Sequence, residues 1–351
     1  MKRVGIFGGG QLAMMLAEAA PVLGLTVSVL APDADDCPAA KTGAYLVRAD
    51  YEDEAAALEF AKDCDVLTFE FENVPVRTLF RLQRAGHFIA PGPGVLELIQ
   101  DRLTEKQFLR DCGIELASFV RIDKAEDLAA GLRVTGMPAV LKTRHFGYDG
   151  KGQSWIHEPG QAGPAFDLIH HHPAVLEAGI AFVRECSVIC ARNSSGDFVH
   201  FPVTQNQHKD GVLRASQHPA ECSTQTANQA IRIARKIAEK LEYVGVLAVE
   251  FFETDDGQLL VNEIAPRVHN SGHWTQLGAK PDQFELHLRA ITGMDLPKPD
   301  CAAAAKMINL IGDQINQAPS LQSDGWTVTG YGKGVVRPGR KMAHAVKIDH
   351  K

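Results

Sequence analysis

The sequence predicts a protein of mixed α/β and α+β class. It has an N-terminal open parallel α/β sheet domain, a small central lid domain and a C-terminal α+β domain. Three observations lead to this prediction: strands and helices alternate near the N-terminus, a glycine-rich stretch separates two strands in the middle, and a hairpin follows a long helix later. At 351 residues the chain also exceeds the ~250–300 residues that one core usually serves. The predicted boundaries are 1–94, a helical linker 95–113, then 114–179 and 180–351.

The N-terminal region alternates short apolar runs with amphipathic segments. Strands are predicted at 4–7, 26–30, 66–70 and 87–90, and helices at 11–20, 52–62 and 75–85. A turn of three glycines, Gly8-Gly9-Gly10, joins the first strand to the first helix. Alternation in this order predicts a parallel sheet with helices on both faces.

The remainder of the chain has a different order of predicted strands and helices. A helical linker is predicted over 95–112, and strands at 139–142 and 154–156 flank the glycine-rich stretch. Further strands are predicted at 186–192 and 199–201, a helix at 224–241, and a hairpin near 246–264. These segments are assigned to the predicted central and C-terminal domains.

Composition excludes several classes of protein. The formal net charge of −7 argues against nucleic acid as a partner. No apolar run approaches the ~18 residues of a membrane span, and a strand directly at the start predicts no signal peptide. Seven cysteines without a CxxC pair indicate free thiols in a reducing compartment, so the protein is expected to be cytoplasmic.

The first glycine turn has more than one interpretation. Gly8, Gly10 and Ala13 fit the G-x-G-x-x-A pattern of dinucleotide-binding turns, and Asp33 lies near the end of the second strand. A helix N-terminus with bare N–H groups attracts any phosphate, however, and the adjacent Gln11 offers an amide to a sugar or base. A phosphorylated small substrate is favoured here over a nicotinamide cofactor or a plain turn.

The central glycine-rich stretch predicts a phosphate-binding lid. Gly147, Gly150 and Gly152 lie between two strands, and Lys142 lies on the first of them. The stretch lacks the Walker pattern, but a mobile hairpin loop can cover a triphosphate and exclude water. A plain surface hairpin is the alternative.

Two glutamates are predicted to face each other across the later hairpin. Asp256-Gly257 indicates a two-residue turn, and counting back from it pairs Glu250 with Glu263. Their Cβ atoms would then lie about 5 Å apart among apolar neighbours. Like charges so placed favour a bound cation, and carboxylates with nucleotide phosphates commonly hold Mg²⁺. A solvated charge pair is the alternative.

A lysine, a glycine lid and a carboxylate hairpin, in this order after an α/β domain, resemble the ATP-grasp ligases. Within them, residues 69–75, 147–153, 262–276 and 284–291 are similar to the N5-carboxyaminoimidazole ribonucleotide synthetases of purine biosynthesis. This resemblance implies that ATP phosphorylates bicarbonate to carboxyphosphate, which carboxylates the amine of 5-aminoimidazole ribonucleotide. It also implies Mg²⁺ (with Mn²⁺ as an alternative) and a homodimer.

The resemblance assigns roles to individual residues. Arg267 and Lys142 would be catalytic, with Arg267 holding bicarbonate and carboxyphosphate, and Glu250 and Glu263 would hold the metal. The residues implied for ATP are Arg102, Lys142, Gly147, Tyr148, Asp149, Gly150, Lys151, Gly152, Gln153, Glu177, Ala178, Gly179, Ile180, Glu185, His208, Asn262 and Glu263. Those for the ribonucleotide are Gln11, Leu12, Glu70, Asn270, Lys333, Arg340 and Lys341.

Three rival functions remain open on the sequence. A formate-dependent glycinamide ribonucleotide transformylase has the same architecture and a related phosphoribosyl substrate. A nicotinamide-binding dehydrogenase would explain Gly8–Ala13 but gives Glu250 and Glu263 no role. A non-catalytic nucleotide sensor would bind ATP without turnover.

Overall fold

The N-terminal residues form a parallel sheet with flanking helices, as the alternating pattern predicts. The computed structural model describes residues 1–147 and 150–349. The first elements are β1 (Arg3–Phe7), α1 (Gln11–Ala19), β2 (Thr26–Ala31), β3 (Tyr45–Arg48), α2 (Glu54–Lys62), β4 (Val66–Phe69) and α3 (Val76–Arg84). The strands lie in the order β3-β2-β1-β4 and pair in parallel.

Two details of this domain differ from the prediction. Residues 87–90 contribute only an isolated bridge, from Ile89 to Leu67, instead of a strand. Strand β3 was not predicted; it has only four residues, and its side chains are exposed or half-buried.

The predicted helical linker consists of two helices. They are α4 (Pro93–Gln100) and α5 (Arg102–Asp111), and the extended backbone of Asp101 separates them. The Asp101 carboxylate accepts from the Leu103 N–H at 2.9 Å and from Arg144 Nε at 2.9 Å. This cap begins α5 at a defined point, so the first turn of α5 has a fixed orientation toward the lid strands.

The central domain is an antiparallel sheet with its own core. Its elements are β5 (Phe119–Ile122), α6 (Glu126–Thr135), β6 (Ala139–Thr143), β7 (Gln153–Ile156), α7 (Ala162–Leu168) and β8 (Ala174–Ala178), and the strand order is β5-β8-β6-β7. The core side chains include Ile122, Leu141, Phe166 and Leu176. The strands predicted on either side of the glycine-rich loop, β6 and β7, pair with Lys142 opposite Gln153.

The C-terminal region is built on one large, mainly antiparallel sheet. Its strands are β9 (Arg184–Arg192), β10 (Phe198–His200), β11 (Thr204–Lys209), β12 (Val212–His218), β13 (Gly245–Glu253), β14 (Leu259–Ala265), β15 (Ala279–Lys280), β16 (Asp300–Cys301), β17 (Ala305–Ile311), β18 (Thr327–Gly330) and β19 (Lys341–Ile348). Its helices are α8 (Thr224–Lys240), α9 (Thr275–Gly278), α10 (Gln283–Thr292) and α11 (Ala318–Ser323). The order is β14-β13-β9-β11-β12-β17-β19-β18, with β10 beside β9 and β15 paired separately to β16. No helix in the described ranges is both long and apolar enough to cross a membrane.

One apolar core joins the N-terminal and C-terminal domains. Leu12 and Met15 of α1 belong to the same buried cluster as Leu286 and Ile291 of α10. Helix α8 covers the opposite face of β9 and β13. Because burial of apolar surface resists separation, the carboxyl end of β4 is held in place beside the large sheet.

His287 adds a polar link between the same two domains. Its Nδ1 accepts from the Val246 N–H at 3.1 Å, so Nε2 carries the hydrogen and donates to Thr68 Oγ1 at 3.0 Å. Burial lowers the pKa of His287 to about 4. The ring is therefore held neutral between β4 and β13.

We expect His287 to make stability depend on pH. In the unfolded chain the ring takes a proton near its ordinary pKa of 6.5, but in the folded protein it does so only near about 4. Between these values protons favour the unfolded chain, so the free energy of unfolding falls as the pH falls, by at most ~1.4 kcal/mol per pH unit. Urea unfolding of wild type and His287→Gln at several pH values measures this. The advantage of wild type should shrink from pH 6.5 to pH 4; a constant difference would contradict the assignment.

Candidate active site

The carboxylate hairpin has the predicted pairing but a different turn. Glu250 lies directly opposite Glu263, as predicted. The turn, however, is a three-residue loop over 255–257, because Thr254 pairs with Gln258 and Gly257 adopts φ +81°. A bulge at Asn262 then shifts the register by one residue and restores the pairing of the two glutamates.

The two glutamates differ in their surroundings. Glu250 is buried, and burial together with the opposing Glu263 raises its pKa to about 7. His269 Nε2 lies 3.6 Å from Glu250, and Arg102 Nη1 lies 3.5 Å from Glu263. Burial lowers the pKa of His269 well below its usual value, so this ring does not neutralise Glu250 near pH 7.

This carboxylate pair fits a divalent cation bound with phosphate. A buried carboxylate opposite a second one is unfavourable without a cation between them. Among the described residues, no group of three or more His, Cys, Asp or Glu side chains is arranged around a metal position. The remaining ligands would therefore come from nucleotide phosphates and water, as is usual for Mg²⁺.

A buried cluster of two lysines and one glutamate lies beside the hairpin. Glu177 Oε2 is 3.0 Å from Lys142 Nζ and 3.1 Å from Lys106 Nζ. Although burial raises the pKa of Glu177, the charges of the two lysines outweigh it and hold the pKa at about 2. The Glu177 carboxylate thus orients two ammonium groups.

The residues after Glu177 are fixed by backbone hydrogen bonds. The Ala178 N–H donates to Ser118 O at 2.8 Å, and the Gly179 N–H donates to Pro138 O at 2.7 Å. A Cβ at Gly179 would lie 2.7 Å from Pro138 O, so the segment requires glycine there. Ala178 and Gly179 are therefore held to the lid domain, and Ile180 follows them on the way to β9.

Glu185 and His208 are paired across β9 and β11. Glu185 Oε2 accepts from the His208 N–H at 3.1 Å and lies 3.2 Å from His208 Nδ1. Burial lowers the pKa of His208, but Glu185, Glu250 and Glu263 outweigh this and raise it overall. His208 is therefore a cation more readily than an ordinary histidine.

The glycine-rich loop meets the turn between β11 and β12. Gly150 and Gly211 both have positive φ, +77° and +73°. A Cβ on Gly211 would lie 2.5 Å from Gly150 Cα, so the two backbones approach directly. Among the described lid residues Gly147, Gly150, Lys151, Gly152 and Gln153, Gly150 thus touches the large sheet at this turn, while Tyr148 and Asp149 lie outside the described residues.

Arg267 forms an ion pair between domains. Its Nη2 is 2.5 Å from Glu72 of the N-terminal domain, and its Nη1 donates to Val268 O at 3.0 Å. Its Nε is buried and lacks a partner within the described structure, as does the Nε of Arg102. Each guanidinium keeps one buried donor that an anionic substrate can use.

The first glycine turn is occupied by a carboxylate of the protein itself. Glu70 accepts from the N–H groups of Leu12 at 3.1 Å and Ala13 at 3.0 Å, and also from that of Gly10. A Cβ at Gly10 would lie 2.5 Å from Glu70 Oε1, which explains the glycine. Burial raises the pKa of Glu70, while these N–H groups oppose the increase. The donors that favoured a phosphate near Gln11 are therefore already in use.

The basic tail, residues 331–342, contacts the N-terminal domain. Lys41 of the N-terminal domain donates to Gly332 O at 2.8 Å, and Lys333 donates to Lys341 O at 2.9 Å. Arg340 Nη1 donates to Val335 O at 3.0 Å. Burial and Glu263 raise the pKa of Glu250, and the charge of Lys341 is one of those that oppose this increase.

Asn270 is held by a second asparagine. Its Nδ2 donates to Asn309 Oδ1 at 3.0 Å, and Asn309 Nδ2 donates back to Asn270 Oδ1 at 2.6 Å. This reciprocal pair fixes the amide next to His269 and the hairpin.

Several side chains at the site were not predicted. They are Lys106, Glu105, Glu72 and Lys41. Lys106 follows Arg102 by four residues, which places both on one face of a helix, so helical spacing could have identified it. Glu72 and Lys41 reach the site only through contacts between distant segments.

Three family models match successive parts of the chain. They are the ribonucleotide synthetase preATP-grasp domain over residues 1–100, the ATP-grasp domain over 107–284, and the phosphoribosylaminoimidazole carboxylase C-terminal domain over 305–351. Together with the lysine cluster, lid and carboxylate hairpin, they define an ATP-grasp ligase, an enzyme that uses ATP to form a bond.

Similar sequences and structures show which family of ATP-grasp ligases the chain belongs to. The N5-carboxyaminoimidazole ribonucleotide synthase of Brucella melitensis biotype 1 is 46% identical over 348 residues, covering 98% of this chain and 96% of the relative. The Staphylococcus aureus N5-carboxyaminoimidazole synthetase complexed with ADP has a TM-score of 0.95 at 33% identity, covering 100% and 94%. The Aspergillus clavatus enzyme in complex with ADP and 5-aminoimidazole ribonucleotide has a TM-score of 0.93 at 29% identity, covering 99% and 94%. The chain belongs to the N5-carboxyaminoimidazole ribonucleotide synthase family.

Family membership confirms the resemblance inferred from the motifs, the fold class and the ligase activity. It also decides among the rival functions, because the transformylase, dehydrogenase and sensor interpretations are not supported. The occupied glycine turn at Glu70 agrees with the loss of the dehydrogenase interpretation.

Proposed function

We propose that the chain carboxylates 5-aminoimidazole ribonucleotide to N5-carboxyaminoimidazole ribonucleotide, using ATP and bicarbonate and releasing ADP and phosphate. The observation that carries the proposal is the pairing of Glu250 with Glu263 beside two separate cation groups. The first group consists of the ammonium groups of Lys106 and Lys142, and the second is the guanidinium of Arg267, on which the charge of Glu263 acts. The first group suits a polyphosphate, and the second suits a small planar anion.

ATP would lie between the lid domain and the large sheet. Lys142, Lys106 and Arg102 would contact its phosphates beneath residues 147–153, and Asn262 lies on the same strand as Glu263. Residues 177–180 would border the adenine, and Glu185 with His208 would meet the ribose. A bound Mg²⁺ on Glu250 and Glu263 would neutralise phosphate charge during transfer.

Bicarbonate would bind at Arg267. A bicarbonate oxygen attacks the γ-phosphorus, the bond to ADP breaks, and carboxyphosphate forms. The exocyclic amine of the ribonucleotide then attacks the carboxyl carbon, phosphate leaves, and the amine loses a proton. The buried Nε–H of Arg267 supports this role, because it is a donor without a partner in the described structure.

The ribonucleotide would bind between the N-terminal domain and the tail. The residues proposed for it are Gln11, Leu12, Glu70, Asn270, Lys333, Arg340 and Lys341. The contact of Lys41 with Gly332 supports a site shared by the two segments. Because Glu70 already accepts three N–H groups of α1, we propose that the 5′-phosphate is bound by the basic tail and not by that helix.

Release of ADP by the purified protein tests the proposed function. ADP should form rapidly only when Mg²⁺, bicarbonate and 5-aminoimidazole ribonucleotide are all present. Replacing bicarbonate with formate, or the ribonucleotide with glycinamide ribonucleotide, should reduce the rate to slow uncoupled hydrolysis. Full activity with either replacement would overturn the proposal.

The assembly and location are also part of the proposal. We propose a cytoplasmic homodimer, on the family resemblance stated above. Sedimentation equilibrium at several concentrations would measure the assembly, and a monomer throughout would contradict it.

Arg340→Ala should weaken ribonucleotide binding selectively. Loss of one charged hydrogen bond to phosphate costs ~1.5–3 kcal/mol, so KM for the ribonucleotide should rise about tenfold or more. KM for ATP should change little, because Arg340 is assigned to the phosphate of the ribonucleotide and not to ATP. Steady-state kinetics with each substrate varied will measure both constants.

Arg337→Ala is the matched control, since Arg337 is an exposed arginine in the same turn. It should leave both constants close to wild type. Equal damage to ATP and ribonucleotide affinity in Arg340→Ala would mean that the tail serves the nucleotide or the fold.

A further inference from the structure

The strand that carries Glu263 is the edge of the large sheet. Strand β14 pairs with β13 on one side, and its other side is covered by α5 and the segment after it. The Val261 N–H donates to Glu115 O at 2.9 Å, and Asn262 O accepts from Lys106 Nζ at 3.4 Å. The linker therefore satisfies edge groups that would otherwise be unpaired.

Glu105 makes the next contact along this edge. Its Oε1 accepts from the N–H of Ile264, the residue directly after Glu263, at 2.7 Å. The Glu105 side chain is buried, with 3% exposure. Unlike the Glu115 contact, which uses a main-chain carbonyl, this one depends on the identity of the side chain.

The contact lies where the ladder between β13 and β14 is weakest. The bulge leaves Asn262 without a partner residue on β13 and interrupts the regular pairing just before Glu263. Pairing with β13 alone therefore constrains the direction of the Glu263 side chain less than in a regular strand. The hydrogen bond from Ile264 supplies a second constraint from the opposite side.

The same turn of α5 also acts on the Glu263 side chain. Arg102 lies three residues before Glu105 and places Nη1 3.5 Å from Glu263 Oε2. The first turn of α5, which the Asp101 cap begins at a defined point, thus contacts both the Glu263 carboxylate and the backbone N–H of the next residue, Ile264.

We propose that Glu105 is a positioning residue, whose hydrogen bond to the Ile264 N–H aims the Glu263 carboxylate at a cation shared with Glu250. The inference rests on the proposed metal role of those two glutamates. Groups that orient metal ligands typically change metal affinity about 10–100-fold when they are removed.

The test measures binding of Mn²⁺ with ADP by electron paramagnetic resonance, alongside the Mg²⁺ dependence of turnover. Glu105→Ala removes the acceptor and should weaken Mn²⁺ binding about tenfold or more, with a similar rise in the Mg²⁺ concentration for half-maximal rate. Glu105→Gln keeps an oxygen at the same position and should restore both to within about threefold. Glu115→Ala, an exposed glutamate on the same linker, should match wild type.

Glu105→Asp is a second test variant, for use if Glu105→Ala does not fold. It keeps the charge but is one methylene too short to reach Ile264, so it should show the alanine defect. Wild-type Mn²⁺ affinity in folded Glu105→Ala or Glu105→Asp, or an equal defect in Glu105→Gln, would overturn the inference. Glu250→Gln distinguishes failure of the metal assignment from failure of the positioning role. If Glu250→Gln still binds Mn²⁺, the metal assignment fails. If Glu250→Gln loses Mn²⁺ binding while Glu105→Ala binds Mn²⁺ like wild type, only the positioning role is refuted.

Discussion

Replacing Glu250 or Glu263 with glutamine is expected to lower turnover by at least about 100-fold. The change preserves shape and removes one carboxylate charge, so the proposed Mg²⁺ would be held more weakly, and the charge stabilisation that it would supply to phosphoryl transfer is worth several kcal/mol. Folding should survive and can improve, because the two carboxylates repel each other: Glu263 contributes to the raised pKa of Glu250. Turnover at saturating ATP and thermal unfolding without ligand will measure the two effects separately.

Asp255→Asn is the matched control for this experiment. It removes one negative charge from the exposed turn of the same hairpin and should leave turnover unchanged. Near-normal turnover in both glutamate variants would refute the metal assignment.

Glu177→Ala should cause the largest loss of stability. Without this carboxylate, the ammonium groups of the buried Lys106 and the half-buried Lys142 lose their shared partner and repel each other. Removing one member of a buried ion pair typically costs ~3–5 kcal/mol. Urea unfolding should therefore shift to lower denaturant concentration, and affinity for ADP should fall because the lysines are no longer oriented.

The acid sensitivity of the protein should change with the same variant. The pKa of Glu177 is about 2 in the folded protein against an ordinary 4.5, so its contribution to stability is present above pH 4.5 and is lost as the pH falls toward 2. Glu158→Ala, an exposed glutamate in the lid domain, serves as control. Wild-type unfolding and ADP binding in Glu177→Ala would show that the cluster does not depend on this carboxylate.

Local patterns were sufficient to predict much of the architecture. The alternation of strands and helices predicted the parallel sheet, and glycine spacing predicted the hairpin loop after Lys142, because both signals lie within a few residues. The pairing of Glu250 with Glu263 was also correct, although the predicted turn was one residue too short. The bulge at Asn262 compensated for that error, and no turn signal could have indicated it.

Contacts between distant segments could not be predicted in this way. Glu70 caps α1 from 58 residues away, and Glu105 reaches Ile264 across 159 residues. Neither residue stands out by spacing, since each looks like an ordinary glutamate near the end of an element. The glycine turn illustrates the consequence: its pattern indicates bare N–H groups, and only the three-dimensional structure shows which carboxylate occupies them.

The bulge at Asn262 makes the β13–β14 turn tolerant of changes in length. Pairing with β9 holds β13 near Glu250, and the linker holds β14 near Glu263, so neither strand depends on the turn for its alignment there. Insertions between Thr254 and Gln258 can be accommodated in solvent without moving the carboxylates. This turn is accordingly a suitable place to graft a peptide epitope or a fluorescent label onto the enzyme while keeping its catalytic geometry.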